Sequence, residues 1–161
     1  MLFFLLAQVF LKKEEAIKLA FKECKIDSFI LTLDKNIKQE LKNRKMPLPL
    51  RDTLIFYFGC DKVALIDDII GKHLPITYMV TLKKNGKVDF VEILVYRESY
   101  GGEIKNKNFL IQFEDKSIND SLRPKKEIKN IAGATISVNS ITYAIKRTLF
   151  LYENYVKYKI K

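Results

Sequence analysis

Apolar residues recur along the chain with two periods, and the change from one to the other divides it into elements. Residues 12–24 (KKEEAIKLAFKEC) place Ala16, Leu19, Ala20 and Cys24 on one face, with Ile17 and Phe21 beside it. That spacing predicts an amphipathic helix, with Glu14 and Glu15 in the first turn where the helix dipole favours acids. Residues 33–45 repeat the pattern through Leu33, Ile37 and Leu41, and Asp34 is a candidate N-cap. The stretch MPLPL (46–50) ends that helix, because proline cannot continue it. TLIFYFG (53–59) is β-branched and aromatic and predicts a strand. KVALIDDIIGK (62–72) predicts a second strand of mixed burial. Two alternating runs over 74–99 flank Asn85-Gly86, the preferred pair of a type I′ turn, and predict a β-hairpin. Residues 101–113 predict a helix with Ile104, Asn108 and Ile111 or Gln112 on one side, and the polar 114–130, with Pro124, a connecting loop. The longest helix is expected over 137–158, where Val138, Ile141, Ile145, Leu149 and Tyr152 step by three and four. Helices, then antiparallel strands, then helices predict an α+β fold. Its antiparallel sheet has a central β-hairpin, packed by N-terminal helices and a long C-terminal helix.

Composition narrows the class. At 161 residues with 48% hydrophobic content, the chain is one domain with a real core, not a disordered polyelectrolyte. Lys plus Arg (29) exceed Asp plus Glu (19), for a net charge of +10. Such a balance suits nucleic acid or an anionic membrane. The cations are mostly dispersed lysines, however, and no Arg-rich run or nucleic-acid motif accompanies them, so solvated faces and no nucleic-acid partner are expected. Cys24 and Cys60 lack metal-site spacing, and with His73 as the one histidine a zinc site is not expected. The two cysteines are compatible with a disulfide in an exported protein or with buried free thiols. MLFFLLAQVFL (1–11) is apolar but far short of the ~20 residues that span a bilayer. It resembles the apolar region of a secretory signal, with Ala7 at a candidate cleavage position, although no basic segment precedes it. A buried first strand is the alternative. Residues 1–11 are therefore expected to be signal-like or a short anchor, and 12–161 the domain.

One stretch is not explained by packing. In IAGATISVNSIT (131–142), the small Gly133 and Ala134 run into Thr135, and hydroxyls then alternate with apolar residues before a helix. Small residues let a bulky ligand approach the backbone. Thr135 or Ser137 stands where an N-cap belongs, and a helix N-terminus offers free N–H groups to a phosphate. A plain loop and cap would use the same residue types.

The motif AGATIS followed by an apolar helix resembles the signature of the FMN-binding domain family. That family includes the C subunit of sodium-pumping NADH:quinone reductase, the G subunit of related electron-transport complexes, and small exported proteins. The stretch GKHLPITYMVTLKKNGKVDFVEILVYRESYGGEI, followed by FLIQF, resembles the family's central hairpin and the loop after it, and the likeness runs over about residues 62–153. VFLKKEEAIKLAF resembles the start of small exported members. The resemblance implies FMN as cofactor. It also implies a motif Asp-x-x-Ser/Thr-Gly-Ala-Thr whose last threonine, here Thr135, is joined to FMN through a phosphoester by a separate flavin transferase, which uses FAD and Mg²⁺. Gly133 and Ala134 match that motif, whereas Lys129 stands at the Asp position and Ala132 at the Ser/Thr position. These departures weaken the case for attachment more than the case for binding.

The candidate cofactor-binding residues are Thr135, Ala134, Gly133, Ala132, Ser137, Glu103, Gly102 and Arg97. Gly101 and Gly102 offer close approach to the flavin ring, Glu98 and Glu103 hydrogen-bond acceptors, Arg97 a phosphate contact, and Tyr96 or Tyr100 a stacking surface. No catalytic residue or metal ligand is expected. What the resemblance implies is an extracytoplasmic, periplasmic electron carrier, with membrane or soluble redox partners, rather than an enzyme with its own substrate. The alternative is a flavin-free binding or scaffold protein that kept the fold and lost the attachment motif.

Overall fold

A computed structural model describes residues 7–160. Six strands form one antiparallel sheet in the order β1-β6-β5-β4-β3-β2. They are β1 (Gln8–Val9), β2 (Asp27–Thr32), β3 (Thr53–Gly59), β4 (Lys62–Ile70), β5 (Pro75–Lys83) and β6 (Val88–Tyr96). Consecutive strands β2 to β6 are neighbours, so short turns suffice to connect β3 through β6. β1 joins the far edge, pairing Gln8 with Tyr96 and Val9 with Val95. Residues 8–11 of the signal-like stretch are thus in contact with β6, while 1–6 lie outside the described residues. β2 occupies the opposite edge, in a stretch to which the hydrophobic pattern assigns no element.

The helices cover the two faces unequally. α1 (Lys13–Phe21) buries Ala16, Ala20 and Phe21 against Ala64, Met79 and Leu94 on one face. The other face carries the larger core. There α2 (Lys35–Asn43) and α4 (Thr135–Leu151) bring Ile37, Leu41, Val138, Ile141, Ile145 and Leu149 onto Phe56, Leu65, Tyr78 and Val80. The period-2 alternation of β4 sends Val63, Leu65 and Ile69 to that core and Ala64 to the α1 side. Asp34 caps α2 as expected, accepting from the Ile37 N–H at 2.8 Å. Cys24 and Cys60 are joined in a disulfide that ties the end of α1 to the β3–β4 turn, and among the described residues no free cysteine remains.

Three local expectations are corrected. Residues 101–113 are not one helix. A 3-10 turn (Gly102–Lys105), the single turn α3 (Lys107–Leu110) and a second 3-10 turn (Ile111–Phe113) follow one another. Asn106 interrupts them, with an extended backbone and a side chain that accepts from the Asn108 N–H. Burial then selects Ile104, Phe109, Leu110 and Phe113, whereas Ile111 is exposed. The hairpin turn is not type I′, because only Gly86 has a positive φ (82°) while Asn85 does not. The Lys83 N–H donates to Lys87 O and the Gly86 N–H to Lys83 O, as in the longer loop that ends in a left-handed glycine. The long helix starts at Thr135 rather than Ser137 and widens into a π-type turn over Tyr152–Val156.

A buried ionic network joins α4 to the sheet. Arg147 is fully buried, and its Nη2 meets Asp67 at 2.8 Å and the Tyr78 hydroxyl at 3.2 Å. Its Nη1 donates to the Pro47 carbonyl at 2.7 Å, which fixes the 46–50 loop from inside. Burial pushes the Tyr78 hydroxyl up to about 12 and raises the Asp67 carboxyl against the pull of Arg147.

Candidate functional site

At one end of the sheet the β4–β5 turn, the end of β6 and the N-terminus of α4 converge. They enclose a cleft of about 660 Å³ whose walls include Lys72, His73, Glu98, Tyr100, Gly133 and Thr135. Its volume is in the range of small-molecule sites.

The floor is held by Tyr96. Its ring is buried, and its hydroxyl lies 2.9 Å from Ser137 Oγ and donates to the Tyr100 carbonyl at 2.5 Å. One phenol therefore links the strand end, the glycine loop and the first turn of α4. Burial raises the Tyr96 pKa, so the phenol stays protonated and able to donate. Gly101 permits this arrangement. Its φ is 89°, and a Cβ there would stand 2.6 Å from the Tyr96 hydroxyl and 3.3 Å from Ser137 Oγ. The opposite wall is held by Glu98, which accepts from the backbone N–H groups of His73 (2.5 Å) and Leu74 (2.8 Å). Burial alone would raise the Glu98 carboxyl, but the His73 and Leu74 amides outweigh it and hold the group below its ordinary value.

The α4 N-terminus presents donors to this cleft. Ala134 is the N-cap residue and supplies no side-chain cap, so no hydroxyl occupies the amides of the first turn. Thr135 stands at the first helical position rather than at the cap. Its Oγ1 accepts from Asn130 Nδ2 at 2.8 Å, which orients the hydroxyl and leaves its proton free. Gly133 has φ 79°, and nothing lies within 4 Å of where a Cβ would point. The space beside its backbone is open.

The structure thus groups Gly133, Ala134, Thr135 and Ser137 with Glu98 and Tyr100. Ala132 is exposed in the turn just before them. Gly102 and Glu103 follow the glycine loop, and Glu103 is exposed outside the cleft walls. Arg97 is separated from the group. It donates to Pro75 O and Thr77 Oγ1, both at 2.9 Å, and lines a different cleft with Val9, Leu11 and Lys12. Tyr96 is the buried clamp and offers no face for stacking, whereas Tyr100 is 86% exposed at the rim. Lys129 is exposed, and its backbone N–H donates to Gln112 Oε1 at 2.7 Å. Sequence reasoning missed Asn130, Lys72, Ser99 and Ile136. Of these only Asn130, between the two positions that depart from the motif, carried a signal.

Residues 71–149 match the model of the FMN-binding domain. The match runs from the β4–β5 turn to the last turns of α4, so every wall of the cleft falls inside it. The chain carries an FMN-binding domain. It is also 32% identical to the G subunit of the ion-translocating oxidoreductase complex of Buchnera aphidicola subsp. Schizaphis graminum, over 60% of this chain and 54% of that relative. The chain spans about half the length of the curated relative it matches. FMN is the cofactor this domain takes. The cleft fits it: uncapped helix N–H groups suit a phosphate, the open side of Gly133 admits a bulky group, and Glu98 and Ser99 supply polar edges.

Proposed function

We propose that the protein is an extracytoplasmic electron carrier that holds FMN by its phosphate at the N-terminus of α4, beside Thr135. The observation that carries this reading is Thr135 at the first position of an uncapped helix, next to the open side of Gly133. The N–H groups of that first turn supply donors and the positive end of the helix dipole, worth about 0.3–1 kcal/mol for an anion. When bound, FMN supplies reversible one- and two-electron chemistry. The chain's own groups position it. The Tyr96–Ser137–Tyr100 clamp keeps the helix start and the glycine loop in fixed register, and Glu98 holds the β4–β5 turn as the opposite wall.

The matched relative is named as part of an ion-translocating oxidoreductase complex, which supports membrane-bound redox partners for this chain. The Cys24–Cys60 disulfide supports an oxidising compartment. Covalent attachment extends the reading. A bond from Thr135 Oγ1 to the FMN phosphorus would form as the pyrophosphate of FAD breaks and AMP leaves, with the hydroxyl proton passing to a base of the flavin transferase. The proton of Thr135 is free for this because Asn130 occupies the oxygen as a donor.

Titration of apoprotein with FMN, read by quenching of flavin fluorescence, tests the placement. Thr135→Ala removes one hydrogen bond to a charged group and is expected to weaken binding about tenfold or more. Unchanged affinity in Thr135→Ala would put the phosphate elsewhere. Co-expression with a flavin transferase, denaturing-gel fluorescence and peptide mapping test the linkage. Flavin on the Thr135 peptide, increased by Ala132→Ser with Lys129→Asp, is the expected result. Flavin that washes off in denaturant means a non-covalent site.

A further inference from the structure

Beside the α4 N-terminus the surface turns apolar. A groove of about 430 Å³ runs between the 46–50 loop, the end of β4 and the outer side of α4. In it Leu50, Ile70, Ile136 and Tyr143 are 49, 41, 49 and 38% exposed, although each is large and apolar. No aspartate or glutamate lines the groove, and its one ionised member is Lys45. Ile136 lines both this groove and the Thr135 cleft, so the two are adjacent.

The loop at its edge has an unusual order. Five apolar residues, MPLPL, stand between Lys45 and Arg51. Two of the five are prolines, which lack the backbone N–H that is costly to carry into an apolar medium. Arg147 anchors the Pro47 carbonyl from the buried side, so the loop is fixed from within and Leu50 is left facing outward. Two cations flank the patch: Lys45 lines it, and Lys146 lies 5.7 Å over the Tyr143 ring.

We propose that this face rests on an anionic lipid surface. Leu50, Ile70, Ile136 and Tyr143 enter the headgroup region, while Lys45 and Lys146 meet lipid phosphates. An apolar centre, an amphipathic tyrosine and a cationic rim are what a water–lipid boundary selects. A second copy of the chain fits less well, because it would bring two molecules of net charge +10 together through cationic rims. The inference goes beyond the flavin reading and stands independently of it. Together they set the mouth of the cleft at the membrane, where a bound redox partner would meet it.

The test uses the full chain and flotation with phosphatidylcholine vesicles, with and without phosphatidylglycerol. Binding is expected only with phosphatidylglycerol and should fall with salt. Lys45→Gln and Lys146→Gln should each weaken it about fivefold. The chain has no tryptophan, so Leu50→Trp provides a local reporter. Its emission should shift to the blue on these vesicles and be quenched by brominated acyl chains, which separates this face from binding through the apolar N-terminal stretch. No binding, an unshifted Leu50→Trp spectrum, or undiminished binding by a folded Leu50→Asp variant would overturn the proposal. Self-association abolished by Leu50→Asp, without vesicle binding, would assign the face to a second copy and overturn it too. FMN titration in solution reports on the cleft alone, so failure of the flavin reading and failure of this one are distinguishable.

Discussion

Replacing Gly101 by alanine tests whether the Tyr96 clamp organises the cleft. Two costs are expected. At φ 89° an L side chain is strained, which costs about 1–2 kcal/mol. The new Cβ also falls 2.6 Å from the Tyr96 hydroxyl, which can move only by breaking its bonds to the Tyr100 carbonyl and Ser137 Oγ. Losing that arrangement in a buried setting costs about 1–3 kcal/mol more. Gly101→Ala should therefore destabilise by roughly 2–5 kcal/mol. Tyr96→Phe removes the obstructing oxygen along with its hydrogen bonds, and alone should cost about 1–3 kcal/mol. In the double variant the clash and the hydrogen-bond loss are no longer separate events. The combined effect should fall short of the sum by the shared hydrogen-bond loss, about 1–3 kcal/mol, as coupled neighbours do. Urea unfolding of the four proteins, followed by circular dichroism, measures this. Additivity to within about 0.5 kcal/mol would refute the reasoning, since independent sites add that well. FMN affinity should fall in both single variants, because each loosens the helix start against the glycine loop.

Two further outcomes follow from the same geometry. Replacing Cys24 and Cys60 together by serine opens a link with a sequence separation of 36. The chain-entropy relation puts the loss at about 4 kcal/mol, measurable by urea unfolding with and without reductant on the parent protein; equal stability of oxidised and reduced parent would count against it. Glu98 has a folded pKa below its unfolded one, because the His73 and Leu74 amides outweigh burial. Its contribution to stability is therefore present above the ordinary carboxylate pKa and lost as pH falls through the lowered folded value. Glu98→Gln should flatten the stability-versus-pH profile in that acidic window, and an unchanged profile would show that the β4–β5 turn does not depend on the charge.

Much of the architecture was legible because local patterns and tertiary burial agree. The alternation of β5 sends Ile76, Tyr78, Val80 and Leu82 to one face, β6 joins it through Val88, Val91, Ile93 and Tyr96 across two bulges, and the three-and-four spacing of Val138, Ile141, Ile145 and Leu149 faces the same core. The antiparallel sheet, the two N-terminal helices and the long C-terminal helix followed from that period alone. The motif around Gly133 and Thr135 was legible for a different reason. Small residues and hydroxyls before a helix have few packing uses, so they stand out against an Ile- and Lys-rich chain.

Tertiary structure decided what period and composition cannot carry. β1 is two residues long and its partner Tyr96 is distant in sequence, so pairing rather than propensity makes it a strand, whereas β2 carries the strand formers Phe29, Ile30 and Thr32 although the hydrophobic periodicity assigns it no element. The apolar spacing of residues 101–113 reads as one helix, yet Gly101, Gly102 and Asn106 are poor helix formers, and burial of Phe109, Leu110 and Phe113 is met by single turns instead. Arg147 reads as one more surface cation on an amphipathic helix. Only the fold brings Asp67, Tyr78 and the Pro47 carbonyl to it from elements 80, 69 and 100 residues away. Arg97 shows the same limit in reverse. It lies one residue from Glu98 and Tyr96 in sequence, but its hydrogen bonds to the Pro75 carbonyl and Thr77 Oγ1 hold it away from Thr135. Sequence supplies the residue types and their local period, whereas which of them share a cleft is fixed by long-range pairing, which no local pattern encodes.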